Sequence, residues 1–202
     1  LPLLRWTGDG CSLKASVTTM VDTGVHDFKP YVHSDCGGDY RGKVGGDLMR
    51  WAAHCTLGTI LRFHGSDHRP WTYDNHTEDV IRSYLGMRYK LAPALVAAGH
   101  LAAETAFPLV VRCDVFWPAA KEAADNTQYL HLNDTLVAPI FTSTENVTAR
   151  TVWVPPGDWE DGWTGETVTG PKTINVSQPF ERIPMWHKKG GMMLTTSTPG
   201  VR

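Results

Sequence analysis

The sequence lacks the features that mark several broad classes of protein. No run of apolar residues approaches the ~20 that a helix needs to span a bilayer. The N-terminus has no basic stretch followed by an apolar one, which is the pattern of a secretion signal. A net charge of -2 gives no electrostatic basis for binding nucleic acid or an anionic membrane. We therefore expect neither a membrane span nor a nucleic-acid partner.

Cysteine is scarce, and its spacing argues against a structural zinc site. The four cysteines lie far apart and form no CxxC pair. They are Cys11, Cys36, Cys55 and Cys113. This spacing leaves two interpretations open, either two disulfide bonds or four buried thiols.

Histidine is the other common metal ligand, and several histidines occur in one stretch of the chain. His54, His64, His68 and His76 lie on either side of Asp67. They are spread over a predicted helix, a strand end and a loop, so their side chains are not expected to converge on one ion. We expect no metal and no other cofactor.

Glycosylation sequons indicate the compartment. Four tripeptides fit the pattern Asn-x-Ser/Thr, and they begin at Asn75, Asn133, Asn146 and Asn175. One or two such tripeptides arise by chance, but four in 202 residues favour a secretory route. We therefore expect a protein of the secretory pathway or the extracellular space, with glycans at these positions.

Length and composition are those of an ordinary globular protein. The chain has 202 residues, of which 42% are hydrophobic and 20% charged. This length suits one large domain or two small ones. The chain opens with Leu-Pro-Leu-Leu instead of Met, which is expected of a processed product or an excerpt.

The first half alternates between short apolar runs and segments of helical spacing. Short apolar runs occupy residues 1–10, 28–33 and 59–63, and apolar residues recur at helical spacing in 12–22, 47–57 and 78–105. A strand followed by a helix, repeated in this way, is the pattern of parallel βα units.

Polar side chains follow each of the three predicted strands. Asp9 follows the first strand, Asp35 follows the second, and Arg62 with His64 closes the third. In a βα barrel the carboxyl ends of the strands meet at one rim, where the active sites of that architecture lie. We therefore expect these side chains to meet in one cleft. The mixture of apolar, aromatic and hydrogen-bonding residues in 59–73 is typical of a sugar pocket.

The second half is rich in short predicted strands. Helical spacing stops at Pro108, and β-rich runs follow at residues 109–113, 135–141, 149–154, 159–164, 173–176 and 183–187. Pro155-Pro156-Gly157 and Thr169-Gly170-Pro171 are predicted turns. The pattern predicts an antiparallel β-sandwich. We place the first domain at residues 1–107 and the second at 108–202.

A few polar and aromatic residues of the second half have predicted structural roles. Trp159 and Trp163 are expected in the core of the sandwich, since they are more typical of packing than of a ligand platform there. Arg112, Asp114 and Glu181 are predicted to form ion pairs at the junction between the halves.

Blocks of sequence along nearly the whole chain resemble glycoside hydrolase family 31. In the first half they are LRWTGD (4–9), SDCGG (34–38), DLMRW (47–51), LRFHGSDHRPW (61–71) and YLGMRYKLAP (84–93). In the second half they are QYLHLNDTLVAP (128–139), VPPGDWEDGWTGE (154–166) and FERIPMWHKKG (180–190). The resemblance implies the C-terminal portion of a (β/α)8 TIM barrel followed by an antiparallel β-sandwich.

The same resemblance implies roles for individual residues. The acid/base carboxylate of the family lies in a W-x-G-D turn, which falls on Asp9. Sugar contacts come from D-x-x-G and R-x-H blocks, which fall on Asp35 and His64. Arg62 would support the pocket, and Trp6 would line it beside the acid.

The implied chemistry needs a second carboxylate that this chain does not provide. A retaining glycosidase uses a nucleophile and an acid/base about 5–5.5 Å apart. In the family the nucleophilic aspartate lies on an earlier barrel strand, in a block similar to W-x-D-M-N-E, and nothing here matches that block. About three of the eight strands of a barrel are present, too few to close it. We expect the C-terminal piece of a larger enzyme, with the N-terminal part of the barrel as its partner.

The expected function is hydrolysis by a retaining, exo-acting α-glycosidase. An α-glucosidase acting on terminal α-linked glucose of an oligosaccharide or glycan is the first choice, with α-xylosidase and α-galactosidase as neighbours. The alternative is a catalytically silent sugar-binding or structural component of a secreted assembly. Two departures from the family, Asp39-Tyr40 after the glycines and Cys55 in place of a bulky polar residue, leave the substrate open.

Overall fold

The structure, a computed structural model, consists of a helical half with a parallel sheet and a half built on an antiparallel sheet. It describes residues 4–8, 10–27, 29–38, 45–65, 68–141 and 148–191. The helical half contains strands β1 (Leu4–Trp6), β2 (Tyr31–Cys36) and β3 (Ile60–Phe63) and helices α1 (Leu13–His26), α2 (Gly45–Thr56) and α3 (Asn75–Thr105). None of these helices, over the parts described, is both long and apolar enough to cross a membrane.

The three strands form a parallel sheet in the order β1-β2-β3, as the alternating pattern predicts. The register places Trp6 beside His33 and Asp35 beside Arg62. Each strand returns through a helix, so all three carboxyl ends lie at the same edge. This arrangement brings residues that are about 30 positions apart in sequence onto neighbouring strands.

The two faces of the parallel sheet differ in character because side chains alternate along a strand. Val32 and Cys36 of β2 are buried in the core shared with the helices. His33 and Asp35 point to the other face, where they share the surface with Trp6 and Arg62 of the neighbouring strands. Trp6 and the side chain of Arg62 are half exposed, at 50% and 52%.

The second strand differs from its predicted position. It runs from Tyr31 to Cys36, three residues later than predicted, and Phe28 lies outside the described residues. Asp35 is therefore inside β2 and not in the loop after it, which corrects the prediction. A polar residue is tolerated there because its carboxylate has hydrogen-bond donors on both neighbouring strands.

The helices begin at capping residues. The Ser12 side chain accepts a hydrogen bond from the backbone of Ala15 at the start of α1, and the Asp74 side chain accepts one from Thr77 at the start of α3. The cap at Asp74 explains why α3 begins at Asn75, three residues earlier than the apolar spacing predicts.

The second half is the antiparallel β structure that the sequence predicts. Its strands pair in the order β4-β5-β6-β9-β7-β8. They are β4 (Val110–Val111), β5 (Tyr129–His131), β6 (Thr135–Val137), β7 (Ala149–Asp161), β8 (Thr167–Ser177) and β9 (Met185–Lys188). β5 was not predicted. Its three residues are all fully buried, so they show no alternation of apolar and polar residues.

Two predicted turns lie inside strands instead. Pro155-Pro156-Gly157 forms a bulge within β7, and Gly170-Pro171 lies within β8. Gly157 adopts a positive φ of 112°, which suits a bulge, and a Cβ at Gly170 would lie 2.0 Å from the Pro155 carbonyl oxygen. These residues therefore interrupt the strand pairing locally without ending the hairpin.

Residues of β7 on both sides of the bulge belong to the core of the second half. After it, Trp159 to Asp161 pair with β9. Before it, Trp153 exchanges two hydrogen bonds with the side chain of Gln128, at 2.8 and 3.0 Å. Trp153 and the fully buried Trp159 both belong to this core. The core assignment of Trp159 is confirmed, and Trp163 is half-buried against Tyr84.

Ion pairs and one continuous core join the two halves. Arg112 contacts Asp22 of α1 at 3.2 Å and Asp114 at 2.7 Å, and Glu181 contacts His76 at 2.9 Å. The predicted ion pair of Arg112 with Asp114 is therefore confirmed, and Arg112 and Glu181 both contact the first half. Buried residues from both halves, among them Trp51 and Tyr129, belong to the same core.

One disulfide bond joins Cys36 at the end of β2 to Cys55 in the last turn of α2. Cys113 is a buried thiol, and Cys11 is a half-buried thiol. The sequence left open either two disulfide bonds or four buried thiols, and the structure has one disulfide bond and two thiols. A crosslink over 19 residues stabilises the fold by about 3 kcal/mol through loop entropy.

Candidate active site

The side chain of Asp35 is the centre of the polar cluster on the open face of the parallel sheet. Its Oδ2 accepts a hydrogen bond of 2.8 Å from the indole Nε1 of Trp6, and its Oδ1 accepts one of 2.6 Å from Arg62. The side chain of Asp35 is 0% exposed, although both partners are half exposed. β1, β2 and β3 each contribute one member of this set.

The surroundings of Asp35 keep it ionised. Burial alone would raise its pKa, but the hydrogen bonds from Trp6 and Arg62 and the nearby charges of His64 and Arg62 outweigh burial and lower the pKa. A carboxylate that stays charged is a strong acceptor for hydroxyl groups. It is unsuited to the role of a proton donor at neutral pH.

His33 belongs to this cluster, and the sequence reasoning missed it. Its Nε2 lies 3.1 Å from Oδ1 of Asp35, although the ring is not aligned for a hydrogen bond. Burial, with the charges of Arg62 and His64, lowers the pKa of His33 despite the attraction of Asp35. The signal was its position two residues before Asp35, which places both side chains on the same face of a strand.

The backbone of His64 is fixed beside the end of β2. Its N–H donates to the carbonyl of Cys36 at 3.1 Å, which continues the sheet by one residue past β3. The predicted sugar contacts Asp35 and His64 therefore stand on adjacent strand ends.

Asp9, the expected acid, lies outside the described residues. The residues before it are described: Thr7 donates its N–H to the carbonyl of His33 at 3.1 Å, and Gly8 has a positive φ of 87°. This φ suits glycine and turns the chain away from β1. A Cβ at Gly8 or at Gly10 would meet no atom within 4 Å among the residues that the structure describes.

His68 supports the loops after β2 and β3. It is buried, and a Cβ at Gly37 would lie 3.0 Å from its ring while a Cβ at Gly65 would lie 2.7 Å from it. The hydroxyl of Tyr73 lies 3.4 Å from Nδ1 of His68. Only glycine allows the chain at positions 37 and 65 to approach the ring this closely. His68 therefore helps to position the residues that follow β2 and β3.

The remaining histidines of the 54–76 set have separate environments. His54 is buried between Ser16 and Tyr129, and His76 contacts Glu181. Among the residues that the structure describes, no three His, Cys, Asp or Glu side chains are grouped so that they could hold a metal ion.

Two family models match successive parts of the chain. The model of the "Glycosyl hydrolases family 31 TIM-barrel domain" matches residues 2–98, and that of the "Glycosyl hydrolase family 31 C-terminal domain" matches residues 103–193. Together they cover nearly the whole chain in the order expected. The chain belongs to glycosyl hydrolase family 31.

Relatives within family 31 differ in the activities that their names state. "Alpha-glucosidase 2" of Bacillus thermoamyloliquefaciens is 29% identical over 92% of this chain and 24% of its own length. "Alpha-xylosidase" of Saccharolobus solfataricus is 24% identical over 94% of this chain and 27% of its own length. This chain thus spans about a quarter of the length of these curated relatives.

A solved family 31 structure has the same fold. The crystal structure of an α-xylosidase from a soil metagenome, complexed with xylose, superposes with a TM-score of 0.86 at 22% identity. The match covers 95% of this chain and 33% of that one. At this identity the likeness establishes the fold alone. The predicted architecture, part of a TIM barrel followed by a β-sandwich domain, is confirmed.

Family 31 membership accounts for the open face of the parallel sheet. In a TIM barrel, side chains on the inner face are packed by strands from the rest of the barrel. Leu4, Trp6 and Arg62 are exposed where that packing is expected. The cluster around Asp35 therefore lies on what would be the inside of the barrel, at the carboxyl ends of its strands.

Proposed function

We propose that this chain is part of a retaining, exo-acting α-glycosidase, with α-glucosidase as the first choice of activity. The observation that carries this proposal is the cluster in which Trp6 and Arg62 hold the ionised carboxylate of Asp35 at the strand ends. Family membership and the names of the relatives support the reaction class.

Asp35 and His64 are proposed to bind hydroxyl groups of the sugar. A carboxylate with about four acceptor positions keeps capacity for a hydroxyl after accepting from Trp6 and Arg62. Charged acceptors make hydrogen bonds that are about twice as strong as neutral ones, so Asp35 can orient the ring. Arg62 is proposed to hold Asp35 in place, while Trp6 both holds it and lines the pocket.

Asp9 is proposed as the general acid/base. In the sequence it follows the last residue of β1 by three positions, and the carboxyl end of β1 lies at the same edge of the sheet as those of β2 and β3. In the first step it would protonate the departing glycosidic oxygen, and in the second it would take a proton from the attacking water. The nucleophile is proposed to come from the N-terminal part of the barrel, which is the expected partner of this chain.

The test is hydrolysis of aryl α-glycosides by the full-length protein. We expect the highest kcat/KM on the α-glucoside, with the α-xyloside and the α-galactoside as matched competitors. Preference for the xyloside would correct the substrate but keep the reaction class. No release of aryl alcohol from any of the three, by a folded protein, would instead favour the silent sugar-binding alternative.

The role of Asp35 has a variant test in the same assay. Asp35→Asn keeps the shape but removes the charge, and loss of one charged hydrogen bond should lower kcat/KM by about 10- to 150-fold. Asp158→Asn is the matched control, because Asp158 lies in β7 of the second half. Equal activity of Asp35→Asn and the wild type would rule out sugar binding by Asp35.

The secretory route is proposed from the four sequons. Three of their asparagines are described, and they differ in how accessible their side chains are to a glycosylating enzyme. Asn75 and Asn175 are exposed, whereas Asn133 is half-buried with its Oδ1 enclosed. Asn146 lies outside the described residues. In protein secreted from a eukaryotic host we expect glycans at Asn75 and Asn175 but not at Asn133, as measured by peptide mass spectrometry after glycan release. Full occupancy of Asn133 would contradict this ranking.

A further inference from the structure

The connection between β8 and β9, residues 178–184, reaches out of the second half to the helices of the first. Phe180 lies against the first turn of α2, where a Cβ at Gly46 would be 2.0 Å from its ring. The guanidinium of Arg50, one turn further along α2, lies 4.2 Å from the centre of the same ring. Glycine at position 46 is therefore required for this contact, since any side chain would displace the ring.

The same connection also contacts α3. The carboxylate of Glu181 lies 2.9 Å from Nε2 of His76 in the first turn of α3. The hydroxyl of Tyr84 donates to the carbonyl of Glu181 at 2.8 Å and accepts from the N–H of Ile183 at 3.1 Å. Tyr84 is buried, so both hydrogen bonds are shielded from water.

Both α2 and α3 are connected to residues of the candidate active site. The last turn of α2 carries Cys55, whose disulfide partner Cys36 is the residue after Asp35. The first turn of α3 follows the loop that begins with His64. The two first turns also touch each other, because a Cβ at Gly45 would lie 2.3 Å from Oγ1 of Thr77.

We propose that Phe180 and Glu181 of the second half are positioning residues for the sugar pocket. They hold the first turns of α2 and α3. The Cys36–Cys55 disulfide then joins α2 to the end of β2, where Asp35 lies and where the Cys36 carbonyl accepts the N–H of His64. This inference rests on the proposed glycosidase function for its kinetic consequence. Its structural consequence, order at the strand ends, is independent of any substrate.

The test uses the full-length protein with the variants Phe180→Ala, Phe180→Leu and Glu181→Gln. Glu166→Gln is the matched control, since Glu166 is exposed and lies between β7 and β8, far along the chain from the helices. Amide hydrogen exchange is measured at Gly38 and His64, whose N–H groups donate to the backbone carbonyls of Asp35 and Cys36. Val152 in β7 provides the reference amide.

We expect Phe180→Ala to speed exchange at Gly38 and His64 by about tenfold relative to Val152. The same variant should lower kcat/KM on the aryl glycoside by about tenfold, mainly through KM, because misplaced binding groups weaken substrate binding. Phe180→Leu keeps an apolar side chain and should recover part of both effects. Glu166→Gln should change neither.

Unchanged exchange at Gly38 and His64 in both Phe180→Leu and Glu181→Gln, with folding intact, would overturn the proposal. These two variants decide the question if Phe180→Ala fails to fold. A wild-type protein that hydrolyses no glycoside would refute the proposed function, while the exchange measurement would still decide whether the connection orders the strand ends.

Discussion

Replacement of Asp9 by Ala should lower kcat/KM on an unactivated disaccharide by about 10²- to 10⁴-fold, the usual contribution of a general acid/base. A sugar leaving group departs poorly as an alkoxide, so it needs the proton. An aryl leaving group of low pKa does not, and the first step on such a substrate should be far less affected. The loss should therefore depend on the leaving group, which kinetics on the two substrates measure directly.

The control for this variant is Asp27→Ala. Asp27 follows α1 in the same half of the chain, is exposed, and pairs with Arg5 at 3.2 Å. Removing it should leave activity on both substrates near the wild-type value. An Asp9→Ala protein that hydrolyses the disaccharide at the full rate would eliminate Asp9 as the acid. An equal loss on both substrates would point to a binding role for Asp9 instead.

Acidification from pH 7 to pH 5 should cost about 4 kcal/mol of unfolding free energy through two buried histidines. Burial lowers the pKa of His54 from 6.5 to about 3. Burial, aided by the charges of Arg88 and His187 and opposed by the Gly58 carbonyl, lowers the pKa of His131 to about 3 as well. Both rings are neutral in the folded chain at neutral pH.

The sign of this effect follows from proton binding. Between pH 6.5 and about 3 the unfolded chain binds a proton at each ring that the folded chain does not. The contribution of the two neutral rings to the free energy of unfolding is therefore fully present above pH 6.5. It falls as the pH drops, by about 1.4 kcal/mol per pH unit for each ring. The loss ends near pH 3. The lowered pKa values of His33 and His187 add to it in the same direction.

Urea unfolding of the full-length protein between pH 7 and 5 measures this dependence. His54→Gln removes one titrating ring and should reduce the slope of stability against pH by about one proton, although the variant is less stable at pH 7. His100→Gln is the control, because His100 is exposed on α3. Equal stability of the wild type at pH 7 and pH 5 would show that the two rings do not titrate as their burial implies.

Local sequence determined much of the fold. Apolar spacing located the three helices, and short apolar runs located the strands of the first half to within a few residues. The change of pattern after Pro108 separated the antiparallel half from the parallel one. These features are predictable because each depends on the periodicity of a single segment.

Sequence patterns gave wrong predictions where residues typical of turns lie inside a strand. Pro155-Pro156-Gly157 has the composition of a turn, yet β8 pairs with β7 on both sides of it. The pairing of a long hairpin outweighs the preference of three residues. β2 likewise extends through Asp35, because donors on β1 and β3 satisfy a carboxylate that composition alone assigns to a loop.

The sequence by itself thus determined the family, the order of its elements and the residues Trp6, Asp35, Arg62 and His64 as candidates for one site. Only the tertiary structure decided that Cys36 pairs with Cys55, that His33 lies against Asp35, and that Phe180 contacts α2. The reason is physical. Periodicity and motifs report which face a residue occupies, whereas partners distant along the chain are chosen by how the faces pack together.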